Sequence, residues 1–359
     1  MSHPSPRCSR RRFLRTLALG AGAATLGGAS VNLMSAGSPR FPVSDHCDGR
    51  RFFNPRIHDN RTFLDVLKWK TTSKVAAWPE WVEITPHPLP EAPAGDGLAV
   101  TWVNHATFLL QTRHGNVLTD PVWSKRVSPL HLIGPKRVHA PGVSFETLPR
   151  IDVVLLTHDH YDHCDLPTLR RLARRRPQPL AITPLGNGEL LRAAGFASAQ
   201  VIELDWWEAH EISDGFTVRA TPARHWSNRA SGRRNHRLWS GFFLQAGRRT
   251  AHFVGDTAYD DQMFRDIQKR CGAPDLALIP IGAYEPRWFM SAAHCNPAEA
   301  VQIHHELGAR LSLAMHWGTW QLTDEAREAP LTALAAALAA RAVPERVFRA
   351  LAPGESMTV

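Results

Sequence analysis

The chain has 359 residues and a formal net charge of +9 at pH 7. Residues 1–36 hold five arginines and no acidic residue, so the net charge falls to +4 without them. Much of the basic character is therefore confined to the first residues, which excludes nucleic-acid recognition as its explanation. The cysteines that follow are scattered without a C-x-x-C pair, which excludes a disulfide scaffold: Cys47, Cys164, Cys271 and Cys295.

Residues 1–36 have the pattern of an export signal. Arg10, Arg11 and Arg12 precede the mildly apolar, glycine- and alanine-rich stretch Thr16–Leu26. A twin arginine before such a stretch is typical of a Tat signal, which directs a folded protein to the bacterial periplasm. The stretch is too short and too rich in glycine to predict a spanning helix. No clean Ala-x-Ala cleavage site follows, so a signal retained as a membrane anchor stays open, as does a basic tail without structure.

The rest of the chain predicts an extension followed by one hydrolase domain. Residues 37–97 are rich in proline and predict an irregular N-terminal extension that wraps the core. Residues 98–359 alternate strands and helices in two similar halves, which predicts an α/β fold of two facing mixed sheets with helices outside. We expect strands near 98–103, 107–112, 116–119, 151–157, 216–220, 241–245, 251–254, 276–280 and 311–314, and helices near 166–175, 297–307 and 331–342.

The segment Thr157–His163, with the sequence THDHYDH, is the most informative part of the chain. It follows a mostly apolar run that predicts a buried strand. A strand that ends in imidazoles and carboxylates presents a metal site rigidly, and these ligands suit zinc and its harder divalent neighbours. His158 and His160 are spaced to share one ion, and Asp162 and His163 are placed to hold a second. A histidine-rich polar loop without a metal is the alternative interpretation.

This motif resembles that of the metallo-β-lactamase fold superfamily, so further ligands are expected downstream, each at a strand end. The chain offers one histidine or aspartate after each of three later strands. The resemblance implies seven ligands divided between two ions: His158, His160 and His225 for the first, Asp162, His163 and His316 for the second, and Asp256 bridging both. We expect two Zn²⁺ ions, with Mn²⁺ and Fe²⁺ as alternatives.

A narrower resemblance covers most of the chain from Ala99 onward. It is carried by motifs at 117–123, 134–137, 202–208, 280–290 and 316–319, and most specifically by Ala283–Met290 within the sequence PIGAYEPRWFM. These motifs are similar to those of the branch that contains N-acyl-phosphatidylethanolamine-hydrolysing phospholipase D and its bacterial relatives. The chain departs from that branch at Asn104–Ala106, where a glycine usually precedes the histidine.

The resemblance implies cleavage of N-acyl-phosphatidylethanolamine to an N-acylethanolamine and phosphatidate. Two zinc ions would lower the pKa of a shared water from about 15.7 toward about 7, and the resulting hydroxide would attack phosphorus. Asp256 and His294 are the expected catalytic residues, and Tyr161 and His294 match positions that contact the substrate headgroup in the family. Asp120 matches a residue that orients a ligand histidine. A polar residue at the start of a helix is the alternative role for His294.

Other functions and partners stay open at this point. A hydrolase with the same centre could act on a lactone, a β-lactam or another phosphodiester, and a non-catalytic binding protein is disfavoured by the complete ligand set. The expected partner is a phospholipid or another small-molecule substrate, and a homo-oligomer is left open. Arg170–Arg176 contains five arginines on an expected helix, which favours a solvated face over a patch for peripheral contact with an anionic membrane.

Overall fold

The strands form two sheets within the residues that this computed structural model describes, which are 40–56, 61–130, 132–229 and 233–359. Each sheet has seven strands. The first sheet consists of β1 (Ala99–Asn104), β2 (Thr107–Thr112), β3 (Gly115–Thr119), β4 (Val153–Leu155), β5 (Leu180–Pro184), β6 (Val201–Leu204) and β14 (Ser356–Thr358). The second consists of β7 (Ala209–Ser213), β8 (Phe216–Thr221), β9 (Gly241–Ala246), β10 (Arg249–Phe253), β11 (Leu276–Pro280), β12 (Leu311–Met315) and β13 (Phe348–Arg349). The expected signal, residues 1–36, lies outside the described residues.

The two sheets share one pattern of strand pairing. Their orders are β14-β1-β2-β3-β4-β5-β6 and β7-β8-β9-β10-β11-β12-β13. In each order the first four strands pair antiparallel and the last four pair parallel. The antiparallel part meets the parallel part at β3 in one sheet and at β10 in the other. The expectation of two similar halves with mixed sheets is confirmed.

Parallel strands bring their carboxyl ends to one edge of a sheet, which is where open α/β sheets bind ligands. In the first sheet, Thr119 at the end of β3 pairs with Leu155 at the end of β4. In the second sheet, Pro280 at the end of β11 pairs with Met315 at the end of β12. Residues that directly follow these strands therefore lie along a common edge.

A hydrophobic core joins the inner faces of the two sheets. Side chains alternate between the faces of a strand, so Val153 and Leu155 of β4 point into this core, whereas Val154 points to the outer side. Phe242 and Phe253 of the second sheet belong to the same core. Burial of these apolar side chains on both sheets is what holds the sheets face to face.

Helices lie outside the two sheets, and several of them pack on the outer faces. They are α1 (Phe63–Thr72), α2 (Leu166–Ala173), α3 (Gly188–Ala194), α4 (Met263–Cys271), α5 (Arg287–Met290), α6 (Pro297–Leu307) and α7 (Ala329–Ala340). Leu169 and Leu172 of α2 contact the outer side of the first sheet in a cluster that includes Val154. Asn296 and Glu299 form a capping box that starts α6. Among the described residues, no helix combines the length and apolar character needed to cross a membrane.

The N-terminal extension contains a helix that its prolines did not predict. Thr62 and Asp65 form a capping box, in which the Asp65 N–H donates to the Thr62 hydroxyl and the Thr62 N–H donates to the Asp65 carboxylate. This pair starts α1. Trp69 fastens the helix, because its indole N–H donates to Asp324 at 3.1 Å and its ring stacks on Phe289 at 4.9 Å. The prediction of an irregular extension is therefore wrong for α1.

His46 fastens the earlier part of the extension, residues 41–56. Its ring stacks on Trp206 with the centroids 4.2 Å apart. Its two ring nitrogens hydrogen-bond to the carboxylates of Asp45 at 2.6 Å and Asp205 at 2.7 Å. The extension is thus tied to the loop between β6 and β7 by a nearly buried imidazole between two acids.

Candidate metal centre

The loop after β4 supplies four side chains to clusters of possible metal ligands. These are His158, His160, Asp162 and His163. The fifth possible metal ligand of the motif, Asp159, has other partners. Its carboxylate pairs with Arg237 at 3.1 Å and accepts the Asn228 N–H at 2.9 Å. Asp159 is buried, and these contacts hold the metal-ligand loop in place.

His158, His160 and His225 form the first group of donors. The Nδ1 of His160 lies 2.9 Å from the Nε2 of His158 and 3.2 Å from the Nε2 of His225. Two nitrogens on one tetrahedral zinc ion, each at about 2.0–2.1 Å, would be about 3.3 Å apart. The Nδ1–H of His225 donates to the Ala293 carbonyl at 2.9 Å, so its Nε2 is left as an acceptor. The three nitrogens therefore fit one cation.

Asp162, His163 and His316 form the second group. The Nε2 atoms of His163 and His316 each lie 3.5 Å from the Oδ2 of Asp162. Both Nε2 atoms are buried and make no hydrogen bond of normal geometry within the described residues. Buried polar atoms rarely stay unpartnered, because losing water without replacement is costly. Two such nitrogens beside a carboxylate fit a second cation.

Asp256 faces both groups. Its Oδ2 lies 3.0 Å from the Nε2 of His316 and 3.2 Å from the Nε2 of His163, both in the second group. The same oxygen lies 3.7 Å from the Nε2 of His225 in the first group. Its Oδ1 is buried without a hydrogen-bond partner among the described residues. One carboxylate between two sets of imidazoles is the arrangement that a bridging ligand requires.

Asp120 supports both groups from the carboxyl end of β3. Its Oδ2 accepts the Nδ1–H of His163 at 2.7 Å and the Thr157 hydroxyl at 2.6 Å, and its Oδ1 accepts the Thr157 N–H at 2.8 Å. The Thr157 oxygen in turn accepts the Nδ1–H of His158 at 2.9 Å. One buried carboxylate thus orients an imidazole of each group. Thr157 bonds to Asp120 here, and β4 therefore ends at Leu155, earlier than the predicted strand near 151–157.

Carboxylates dominate the electrostatics of the second group. Burial alone would lower the pKa of His163, but Asp256 and Asp162 reverse that effect and raise its pKa well above the ordinary value. The same balance raises the pKa of His316 to about 9. Burial alone would raise the pKa of Asp256, yet His163 and His316 hold it well below its usual range. This group attracts positive charge, so a divalent ion and protons compete for the same nitrogens.

The first group favours neutral imidazole instead. Burial lowers the pKa of His158 well below its ordinary value. Burial also lowers the pKa of His160 to about 4 and that of His225 to about 3. Zinc binds the neutral form of imidazole, so these three rings need lose no proton to bind it at neutral pH.

His294 lies beside both groups. Its ring centroid is 5.0 Å from that of His225 and 5.3 Å from that of His316. It also belongs to a cluster of possible ligands with His225 and Asp256. Burial lowers the pKa of His294 well below its ordinary value, and its Nδ1 has no hydrogen-bond partner among the described residues. A neutral imidazole with a buried, unpartnered nitrogen therefore adjoins the centre.

Tyr161 lies in the wall next to the donors. Its side chain packs against a buried cluster that includes Val127 and Trp320. The guanidinium of Arg229 lies 4.0 Å from the centre of its ring. The ring of Trp320 meets that of His105 edge-on at 5.1 Å, so Tyr161 and Trp320 line a surface that continues to the second group.

His105 is a site residue that the sequence analysis did not identify as a donor. Its Nε2–H donates to the Oδ2 of Asp162 at 3.1 Å, and its ring lies 4.0 Å from that of His316. Burial lowers the pKa of His105 to about 3, so it is a neutral donor. The turn between β1 and β2 that carries His105 lies at the same edge, where the Thr107 hydroxyl donates to the Asp120 carbonyl at 2.6 Å.

Three residues of the centre have left-handed backbone conformations. The φ angles are 45° at His105, 28° at Asp120 and 62° at His316. Such values are unfavourable for residues other than glycine and persist where surrounding contacts enforce them, often at functional sites. At His316 the enforcing contact is close, since a Cβ added to Gly282 would lie 2.1 Å from the His316 carbonyl oxygen.

The two facing mixed sheets and the histidine–aspartate centre at their strand ends define a metallo-hydrolase of the metallo-β-lactamase fold. A family model described as the β-lactamase superfamily domain matches residues 115–317, which is more than half of the chain. The chain belongs to this family. The matched range contains all seven ligands that the sequence predicts, whereas His105 lies outside it.

Two relatives resemble the chain over long stretches. N-acyl-phosphatidylethanolamine-hydrolyzing phospholipase D 1 of Caenorhabditis elegans is 41% identical over 232 residues, which are 63% of this chain and 65% of the worm protein. The chain thus spans slightly less than two thirds of that relative. An uncharacterised protein of Mycobacterium tuberculosis is 38% identical over 302 residues, which are 82% of this chain and 78% of the relative.

A solved structure has the same fold. A metallo hydrolase from the archaeon Ignicoccus hospitalis superimposes with a TM-score of 0.53 at 19% sequence identity. The match covers 73% of this chain and 98% of the archaeal one. At that identity the likeness concerns the architecture alone.

Proposed function

We propose that the chain is a dinuclear zinc phosphodiesterase of phospholipase D type, which hydrolyses N-acyl-phosphatidylethanolamine to an N-acylethanolamine and phosphatidate. The observation that carries this proposal is the 41% identity with a worm enzyme named for that reaction. The two groups of donors that share Asp256 support it, because two ions clamped by one carboxylate suit in-line displacement at phosphorus.

The ligand assignment follows the two groups. Each ion would take three donors of its own and share one carboxylate. In this assignment, His158, His160 and His225 would hold the first ion, Asp162, His163 and His316 would hold the second, and Asp256 would serve both. When bound, the ions supply polarisation of a phosphoryl oxygen and a water acidic enough to ionise near neutral pH.

The reaction replaces one phosphorus–oxygen bond by another. The water oxygen bonds to phosphorus, and the bond from phosphorus to the ethanolamine oxygen breaks. One water proton ends on that leaving oxygen, and the other is left to the phosphatidate or to solvent. We assign to His294 a hydrogen bond or proton transfer at the leaving oxygen, because its neutral imidazole lies beside both His225 and His316.

Tyr161 is assigned to the substrate headgroup. Its ring forms part of the wall with Trp320, next to the second group. The guanidinium of Arg229 over this ring adds positive charge that favours a negatively charged phosphodiester nearby. Tyr161 therefore positions substrate and holds no ion.

The test uses the purified full chain loaded with zinc and a panel of lipids, lactones and β-lactams. We expect about two zinc ions per chain and release of N-acylethanolamine with phosphatidate. In ¹⁸O-labelled water the label should enter the phosphatidate and not the alcohol, since phosphorus is attacked. No more than one tightly bound ion after supplementation contradicts the dinuclear centre. Opening of lactones or β-lactams without lipid hydrolysis replaces the proposal with another hydrolase.

We also propose that the chain is exported folded to the bacterial periplasm by the Tat route. Arg10, Arg11 and the stretch Thr16–Leu26 support this. Changing Arg10 and Arg11 together to lysine should keep the protein in the cytoplasm, as measured by fractionation. Normal delivery of that variant, or of the wild type in a strain without the Tat translocase, contradicts the proposal.

A further inference from the structure

The segment 125–137, here called the basic hairpin, exposes aliphatic side chains at its tip. Leu130, Leu132 and Ile133 are 59%, 88% and 51% exposed. Exposing several aliphatic side chains together is unfavourable in water, and contiguous exposed apolar groups commonly mark a contact site. We therefore expect the exposed side chains of the tip to contact a partner.

The exposure at the tip is enforced by the hydrogen bonds of the hairpin. The Ser128 hydroxyl oxygen accepts the Leu130 N–H at 3.0 Å, and the Ile133 N–H donates to the Leu130 carbonyl at 3.2 Å. At the base, the Val127 N–H donates to the Pro135 carbonyl at 3.2 Å. The backbone thus holds its own turn while the aliphatic side chains stay outside.

The basic hairpin carries four cationic residues and no acidic one. Two of these serve the fold. Arg126 donates to the Gly134 carbonyl, and Arg137 is buried with its guanidinium 4.9 Å from the centre of the Trp320 ring. The other two, Lys125 and Lys136, are exposed, and neither forms an ion pair with a carboxylate of the described residues. Positive charge therefore flanks the apolar tip.

Helix α1 has a surface of the same kind. Leu64 is 71% exposed, and Leu67, one turn later on the same side, is 47% exposed. Lys68 lies beside them, with its ammonium 4.7 Å from the centre of the exposed Trp288 ring. The acid of this helix, Asp65, is engaged in the capping box. Exposed leucines beside lysines are typical of helices that lie in a membrane interface.

Both elements are anchored to one short segment, residues 320–324. Trp320 packs with Val127 of the basic hairpin. Asp324 accepts the indole N–H of Trp69 from α1 at 3.1 Å. This segment closely follows His316, a donor of the second group. The two apolar surfaces are therefore joined to the rim of the candidate centre.

We propose that the basic hairpin and α1 together form a docking surface for an anionic lipid bilayer. Aliphatic side chains suit the boundary between headgroups and acyl chains, and the flanking lysines suit anionic headgroups. Single-stranded nucleic acid is bound instead by aromatic platforms, whereas the tip of the hairpin is aliphatic. The inference rests on the proposed function in one respect, since a lipid substrate gives docking beside the centre its use.

The arginine run Arg170–Arg176, which begins in α2 and continues past its end, is less suited to this role. The guanidinium of Arg171 pairs with Glu146 and covers the Phe145 ring at 3.7 Å. Arg175 donates to the carbonyls of Phe145 and Pro149 at 2.9 and 2.7 Å. These arginines hold a loop against the helix, so the membrane contact is assigned to the basic hairpin and α1.

The test measures sedimentation of the full chain with vesicles, without turnover. Vesicles of phosphatidylcholine with phosphatidylglycerol are compared with phosphatidylcholine alone. We expect preferential binding to the anionic vesicles that weakens with salt. Leu132→Glu and Leu64→Glu should each weaken partitioning by about tenfold, as expected when an inserted leucine is lost. Lys125→Gln should weaken it by about fivefold.

Matched controls separate this surface from other causes. Val43→Glu changes a 71% exposed apolar residue elsewhere, and Lys269→Gln removes an exposed lysine of α4. Both should partition like the wild type. The inference is overturned if the wild type ignores anionic vesicles, or if Leu132→Glu and Leu64→Glu bind them as Val43→Glu does. Because binding is measured without turnover, either result leaves the proposed lipid hydrolysis to be judged by its own assay.

Discussion

The two halves of the candidate centre are assembled in different ways. The loop after β4 supplies four donors within residues 158–163, so a short stretch of chain positions them. The other half draws single residues from separate segments, namely His225, Asp256 and His316. These meet because β8, β10 and β12, the strands that they follow, run in the same direction and end along one edge of the sheet. One half depends on a local turn, and the other depends on the order of a whole sheet.

Each group of donors draws on both halves, and two residues connect the groups. Asp256 contacts donors from both groups, and Asp120 orients one histidine of each. A change to either connecting residue should therefore affect both ions. A change to a donor of a single group should affect mainly one ion.

Asp256→Ala is expected to have the largest effect. Removing the shared carboxylate should lower the zinc content from about two ions per chain toward none. The zinc affinity should fall by more than the about 10–100-fold that follows mutation of a residue that only hydrogen-bonds to a ligand. Elemental analysis and lipid turnover measure this. His225→Ala should weaken mainly one ion, and Asp261→Ala, which removes an exposed acid nearby, should change neither quantity. Loss of a single ion in Asp256→Ala would show that Asp256 does not connect the two groups of donors.

His294→Ala tests a residue beside both groups of donors that is assigned to the substrate. Turnover of N-acyl-phosphatidylethanolamine should fall by about 10²–10⁴-fold, the range for a general acid or hydrogen-bond donor. Zinc content should stay at the wild-type level. Tyr161→Phe should lower turnover less, because it keeps the ring and loses only the hydroxyl. A wild-type rate in His294→Ala refutes its role at the leaving oxygen, and loss of zinc reassigns it as a ligand.

Asp120→Asn and His105→Gln sharpen the comparison further. Asp120 supports a histidine of each group, so its change should weaken retention of both ions by about 10–100-fold. His105 contacts Asp162 and His316, so its change should weaken only the second ion. Zinc release to a competing chelator resolves the two ions. Equal release of both ions from His105→Gln contradicts its assignment to one group.

His46→Gln should have the smallest effect. Burial would lower the pKa of His46, but Asp205 and Asp45 outweigh it and raise the pKa above 6.5. The charged ring therefore stabilises the fold fully below pH 6.5, and this contribution is lost as pH rises through the raised pKa. We expect the variant to be less stable by about 1 kcal/mol in urea at low pH, with the difference shrinking as pH rises. A difference that grows with pH contradicts this sign.

The His46 variant also bears on the two halves. The extension that His46 fastens reaches the second half through Asn54, whose amide donates to the His225 carbonyl at 2.9 Å. Loosening it should affect the ion held with His225 before the ion held in the second group. Asp205→Asn should act like His46→Gln, since Asp205 is the stronger of the two partners.

Much of the fold followed from local pattern. The strands β2 and β11 and the helix α6 were predicted with their observed bounds, because apolar runs and the Asn296 capping box mark them clearly. The strands β5, β6 and β7 were missed. Leu180–Pro184 ends in a proline and β7 is half exposed, so only pairing with neighbours makes them strands. Helix α1 was missed because its proline-rich surroundings outweighed a short Thr62–Asp65 signal.

The candidate site could be predicted from the sequence for a different reason. The segment 157–163 concentrates ligand types, and a resemblance located the remaining donors at strand ends. The structure brings all seven together with His294, while their binding of zinc stays a prediction. His105 could not be read from sequence, since its role depends on a hairpin turn that lies over Asp162. The basic hairpin likewise could be recognised only from the solvent exposure of Leu130, Leu132 and Ile133, which the sequence does not give.

The left-handed backbone at His105, Asp120 and His316 lowers the stability of the fold at three positions whose side chains the centre needs. Glycine at any of these positions would relax the main chain, yet it would remove a side chain that the centre needs. A selection for heat resistance alone would therefore tend to erode the centre, and thermostable variants would be enriched in inactive ones. Engineering of this enzyme should treat these three positions as fixed and seek added stability elsewhere.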